Sequence, residues 1–115
     1  MFHFNTPIWF YPKPIDFRKQ IDGIVMFVAD HLRRNPTMGQ LFVFRNRRAN
    51  QVKLLWYDTN GFWLCHRRLE KGKLHFPAIK DEAMEITNTQ LGWLLSGLDF
   101  MKLTGLPVVH ATAFF

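Results

Sequence analysis

The sequence predicts an α+β domain: a four- or five-stranded antiparallel β-meander with two α-helices covering one face. Three observations lead there. Apolar residues recur at helical spacing between positions 17 and 32. Four short strand-like segments then follow one another through loops of hairpin length. A Thr-x-x-Gln box opens a leucine stripe near residue 90. With 115 residues, 48% of them apolar and 16% aromatic, the chain is long enough for one domain with a real core. That domain is read as 1–115, with its core at about 8–100 and an apolar tail over 101–115.

The elements follow in order. Ile8-Trp9-Phe10-Tyr11 lies between Pro7 and Pro12 and reads as an edge strand, because proline cannot donate to an inner ladder. Pro12-Lys13-Pro14 bars helix before Ile15. Asp16 is the expected N-cap of a helix over 17–33, with Phe17, Ile21, Ile24, Val25, Val28 and Leu32 on one face. Gly23 costs that helix about 1 kcal/mol, so a close approach by another element is expected there. Asn35-Pro36 ends it. Strands are expected over 40–45, 51–57, 62–69 and 73–76.

Arg47-Arg48-Ala49-Asn50 forms the tip of the first hairpin, and Asp58-Thr59-Asn60-Gly61 carries the Asn-Gly pair of type I′ turns. An even-numbered loop there puts Val52, Leu54, Trp56, Trp63, Cys65 and Leu69 on one face, the expected core, with Arg67 as the misfit. Lys53, Leu55, Tyr57, Leu64, His66 and Arg68 form a mixed face of cations and apolar groups. Residues 81–85 read as an acidic linker. Thr87-Asn88-Thr89-Gln90 then caps a helix over 88–99 bearing Leu91, Leu94, Leu95 and Leu98.

Charge is unevenly placed. The chain carries 15 Lys and Arg against 9 Asp and Glu, a net +6. Residues 40–75 alone hold Arg45, Arg47, Arg48, Lys53, Arg67, Arg68, Lys71 and Lys73 against Asp58 and Glu70, so the whole surplus sits in one third of the sequence. A solvated strand face kept basic against edge pairing is one reading; a surface for a polyanion is the other.

Several chemistries are disfavoured. The longest apolar run, 24–29, is far short of a membrane span. No basic segment precedes a long apolar core at the N-terminus, so no signal peptide is expected. A single cysteine, Cys65, excludes an intrachain disulfide and a cysteine zinc cluster. Cys65 and His66 are strand neighbours and point to opposite faces, so they do not chelate together. No base accompanies Cys65, no carboxylate cluster holds metal ions, and no glycine motif cradles a phosphate. No metal, cofactor or catalytic residue is expected. An enzyme reading would require a pocket with His66 or His75 beside a carboxylate.

The segments Asp16-Phe17-Arg18-Lys19-Gln20-Ile21-Asp22-Gly23 and Leu41-Phe42-Val43-Phe44-Arg45-Asn46-Arg47-Arg48 carry a resemblance. So do Val52-Lys53-Leu54-Leu55-Trp56-Tyr57-Asp58, Arg67-Arg68-Leu69-Glu70-Lys71-Gly72, and Gln90-Leu91 through Leu94-Leu95-Ser96-Gly97-Leu98-Asp99. Over roughly 8–100 the chain resembles the second-reading-frame accessory protein, often labelled TnpB, of the insertion-sequence-66 family of bacterial mobile elements. Tyr57 inserted in the Trp-Asp pair, Arg67-Arg68 for Lys-Arg and Phe76-Pro77 for Trp-Pro are mild departures from that pattern. The resemblance implies a small protein encoded beside a separate transposase, which holds the catalytic residues, and needed for efficient transposition. It implies the bacterial cytoplasm, at the nucleoid when acting.

The reading from sequence is a noncatalytic accessory factor for DNA transposition. Arg45, Arg47, Arg48, Lys53, Arg67, Arg68, Lys71 and Lys73 are its expected phosphate contacts, with Arg18 and Lys19 outside them. DNA and the element's transposase are the expected partners, a second copy of the chain is left open, and no membrane is involved. The alternative is an adaptor that binds the transposase or itself through the Leu55-Tyr57-Leu64 strip without touching DNA. Cations on one continuous surface favour DNA; Arg45, Arg67 and Arg68 paired with Asp58, Glu70 or the 81–85 acids favour the adaptor.

Overall fold

The computed structural model describes residues 3–77 and 80–98. The elements are β1 (Ile8–Phe10), α1 (Ile21–Asp30), β2 (Leu41–Arg45), β3 (Gln51–Asp58), β4 (Gly61–Arg68), β5 (Met84–Ile86) and α2 (Asn88–Leu95). They build one five-stranded sheet in the order β4-β3-β2-β1-β5. The segment β2-β3-β4 is the antiparallel meander that the short loops require. The sheet as a whole is mixed, because β1 runs parallel to β2, with Ile8 beside Leu41. A parallel pair needs a long crossover, and the stretch holding α1 supplies it.

β1 is therefore an inner strand, not an edge. The prolines flank it without entering it. The Pro7 carbonyl accepts from the Leu41 N–H at 3.1 Å, so Pro7 extends the pairing as an acceptor and needs no donor. Tyr11 N donates to the Val43 carbonyl at 3.0 Å. On its other side β1 pairs antiparallel with β5, Ile8 opposite Ile86 and Phe10 opposite Met84. The fifth strand thus comes out of the stretch read as an acidic linker. The segment 73–76 is not a strand; Leu74 is buried and its N–H donates to the Ala49 carbonyl at 2.7 Å.

The two helices cover opposite faces, which corrects the one-face expectation. Leu91, Leu94 and Leu95 of α2 pack with Leu41, Val43, Val52 and Leu54. Ile24 and Val28 of α1 pack with Phe42, Phe44 and Leu55. Alternation along β2 sends an apolar side chain to each side, so both faces require a lid. All five residues of β2 are buried accordingly. Leu55 is also fully buried, so it is not part of an exposed strip.

The β3–β4 parity is as expected: Leu54 opposes Cys65 and Trp56 opposes Trp63. The turn differs by one residue. Asp58 pairs with Gly61, leaving Thr59 and Asn60 as the loop, and the left-handed φ of 56° falls on Thr59. The α2 cap is as expected: Gln90 N donates to Thr87 Oγ1 at 3.1 Å, and Thr87 N donates to Gln90 Oε1 at 2.9 Å. Such a cap is worth about 1 kcal/mol. α2 ends at Leu95, so Leu98 lies beyond it. Asp99 and the tail over 101–115 lie outside the described residues.

α1 begins at Ile21 with Gln20 as N-cap, four residues later than expected, and ends at Asp30 before Asn35-Pro36 is reached. Asp16 caps a turn instead of the helix: its Oδ1 accepts from Arg18 N at 2.9 Å. The Lys19 side chain lies against Gly23, where an added Cβ would meet Lys19 Cβ at 3.2 Å. That neighbour comes from the preceding turn of the same segment, so the approach of another element expected at Gly23 is not what the structure places there. At the far end of α1, His31 Nε2 and the Tyr11 hydroxyl converge on Asp81 Oδ1, at 2.8 and 2.5 Å. This clasp fastens the approach to β5 onto α1.

Candidate nucleic-acid interface

The site is built by two buried cations. Lys53 sits mid-strand on the α1 side and is 1% exposed. Its Nζ donates to the carbonyls of Phe17 and Lys19, at 2.8 and 2.7 Å. Burial pulls its pKa below the ordinary lysine value, while Asp16 opposes that shift. Arg45 is 5% exposed. Its Nε donates to the Pro12 carbonyl at 2.6 Å, and its guanidinium lies 4.6 Å from the centre of the Phe76 ring. Ile15 N adds a 3.1 Å bond to the Arg45 carbonyl. Together these bonds strap residues 12–19 across the sheet. Arg45 and Lys53 are thereby removed from the phosphate-contacting set, because their charged groups are spent on backbone carbonyls beneath the surface.

The strap faces the β2–β3 hairpin, whose tip is held by Asn46. The Asn46 Oδ1 accepts from Asn50 N at 3.0 Å and Gln51 N at 2.9 Å, and its Nδ2 donates to Asn50 Oδ1 at 2.6 Å. Asn46 is a positioning residue that charge and periodicity did not mark. Its signal in sequence is an Asx-type turn former placed where a strand ends. With the tip so fixed, Arg47 and Arg48 stand exposed.

Strap and tip enclose an open groove of about 510 Å³, lined by Asp16, Phe17, Arg18, Asn46, Arg47, Arg48 and Gln51 among others. The structure thus brings Arg18 to Arg47 and Arg48, across a sequence separation of about 30 residues. Arg18 is exposed and forks onto Asp16, with Nη2 2.7 Å from Oδ2. The Arg18 side chain first, and its backbone N–H second, hold the Asp16 carboxyl down at about 2, from 3.8. The stabilisation linked to this shift is present above pH 3.8 and is lost as the pH falls through about 2. A carboxyl-detected NMR titration should show Asp16 at that low midpoint in the native chain, moving up towards 3.8 in Arg18→Ala.

The other cations divide. Arg68 pairs with Glu70, Nε to Oε2 at 2.8 Å, the pairing that favours an adaptor. Arg67, on the α2 face of the edge strand β4, is exposed and points away from the groove's side of the sheet. Lys71 and Lys73 are exposed in the loop after β4. Leu69 N donates to the Asn50 carbonyl and Leu74 N to the Ala49 carbonyl, each at 2.7 Å, so this loop lies at the hairpin's end of the sheet. Lys19 is exposed beside the strap.

Among the described residues, no hydrogen bond or ion pair joins His66 or His75 to a carboxylate. His66 Nε2 meets Gln51 Oε1 at 2.6 Å, with no carboxylate. His31 does lie beside a carboxylate, that of Asp81, and there burial and Asp81 raise the Tyr11 pKa, opposite to what a tyrosine base needs. Among the described residues, no group of three His, Cys, Asp or Glu side chains could hold a metal ion. No helix among them is long and apolar enough to cross a membrane.

The family model described as IS66 Orf2 like protein matches residues 6–105. The chain belongs to the IS66 Orf2-like family. Its relatives include the uncharacterized protein y4jC of Sinorhizobium fredii, 34% identical over 100 residues, covering 87% of this chain and 86% of that protein. The uncharacterized protein y4hO of the same organism is 34% identical over 96 residues, covering 84% of each. No solved structure matches. Membership makes this IS66 Orf2-like protein a transposition-associated accessory protein. The strap, the hairpin and the groove all fall inside the matched region.

Proposed function

We propose that the protein is a noncatalytic accessory factor of insertion-sequence transposition that grips DNA phosphates in the strap–hairpin groove and assists a separate transposase. The observation that carries this is the convergence of Arg18, Arg47 and Arg48 on one open groove. Arginine forks match phosphate oxygens, and the rigid tip holds two of them in fixed positions. Lys71 and Lys73 extend the contact from the neighbouring loop, and Lys19 flanks it. Asp16 keeps Arg18 folded back in the absence of ligand, and a phosphate would replace it. Such contacts position a protein on a duplex without reading bases.

The Arg68–Glu70 pair supports the second reading, an adaptor that binds the transposase without DNA. An NMR titration of the labelled chain with a short duplex separates the two. Shifts are expected at Arg18, Arg47, Arg48, Lys71 and Lys73. Shifts absent from these residues, at a duplex excess, would leave the adaptor.

A further inference from the structure

We propose that the outer edge of β4 pairs antiparallel with the same edge of a second copy of this chain, about a two-fold axis through Cys65. β4 is eight residues long and, among the described residues, ends the sheet. Because Asp58 and Gly61 close a two-residue loop, the odd positions of β4 bond inward to β3. Leu69 N, bonded to the Asn50 carbonyl, continues that alternation. The even positions Phe62, Leu64, His66 and Arg68 therefore turn their backbone donors and acceptors outward. An edge of this length is a template for another strand.

The sequence of that edge selects its occupant. Its first half, Gly61-Phe62-Trp63-Leu64, carries no charge, and its second half, His66-Arg67-Arg68, is basic. A parallel copy would set cation against cation. An antiparallel copy centred on Cys65 sets Trp63 opposite the second copy's Arg67, and Phe62 opposite the second copy's Arg68. Centring on Leu64 or His66 loses both of these aromatic–arginine pairs. Cross-strand cation–π pairs of this kind stabilise a ladder, whereas the same arginines repel arbitrary basic strands.

A second observation agrees. Trp63 is 55% exposed, and among the described residues it is the aromatic side chain left most open to water. On the same sheet face, four residues along, an open groove of about 650 Å³ is lined by Leu54, Cys65, Arg67 and Leu95. The proposed register delivers the second copy's Trp63 to that groove, over Arg67. A closed two-fold contact of this kind buries both indoles at once.

Sedimentation of the full chain across micromolar concentrations, with and without oxidation by copper–phenanthroline, tests this. The expected result is a dimer that the oxidant links through Cys65, since directly opposed strand residues lie within disulfide reach. Trp63→Arg, an exposed position, should keep the native circular dichroism yet weaken the dimer at least about tenfold and stop the cross-link. Trp63→Arg/Arg67→Glu should restore both by exchanging the charges. A monomer throughout would overturn the proposal. So would a dimer that neither cross-links nor responds to Trp63→Arg, because its interface would lie elsewhere.

Discussion

Lys53→Met is expected to lower the free energy of unfolding by about 3 kcal/mol. Methionine fills nearly the same volume but donates nothing. The carbonyls of Phe17 and Lys19 would lose the charged donor that now lies 2.8 and 2.7 Å away. Two charge-assisted bonds are at stake, offset in part because the ammonium no longer has to be desolvated, a cost visible in its lowered pKa. Urea unfolding should show an earlier midpoint with an unchanged slope. The same variant should bind DNA more weakly although no surface charge has been removed, because the strap that carries Arg18 would no longer be fixed against the hairpin. An unchanged midpoint would mean that the strap is held by something other than Lys53.

Arg47→Ala/Arg48→Ala should behave in the opposite way. Both side chains are exposed, so stability should stay within about 0.5 kcal/mol of the parent. DNA affinity should fall, and the log–log salt slope should shrink by about 1.8, from two phosphate contacts at about 0.9 each. The two variants together separate scaffold from contact. One alters stability and binding jointly; the other alters binding alone.

What the sequence disclosed divides by the range of the interactions involved. The α2 cap was legible because Thr87 and Gln90 satisfy each other within one turn. The β2-β3-β4 meander and its parity were legible because hairpin loops and period-two alternation are local signals. β1 was legible as a strand between its two prolines, but its inner, parallel place was not, and β5 was not read at all, since three-residue strands carry little pattern and their partners lie far away in sequence. The opposite placement of the two helices was missed for a related reason. Phe42 and Phe44 on one side of β2, and Leu41 and Val43 on the other, are equally apolar, which signals two lids only when β2 is known to be central.

The site shows the same division. Arg47 and Arg48 were marked by composition alone, having no packing reason to occupy a hairpin tip. Lys53 and Arg45 looked equivalent to them in sequence. Their burial depends on backbone carbonyls of residues 12–19 that meet Arg45 on one face of the sheet and Lys53 on the other, which no alternation pattern records. Asp16 looked like a helix cap, and the same carboxylate chemistry serves a turn and a guanidinium instead. The basic cluster is thus smaller than the count of charges suggested, and better organised.

The most direct test of the central claim is fluorescence-anisotropy binding of the full chain to element-end and scrambled duplexes across a salt series. Contacts from Arg18, Arg47, Arg48, Lys71 and Lys73 predict binding to both duplexes, with a log–log slope of about −4.5. No binding at low salt, or an affinity indifferent to salt, would contradict a phosphate-gripping groove and leave the adaptor as the account of this protein.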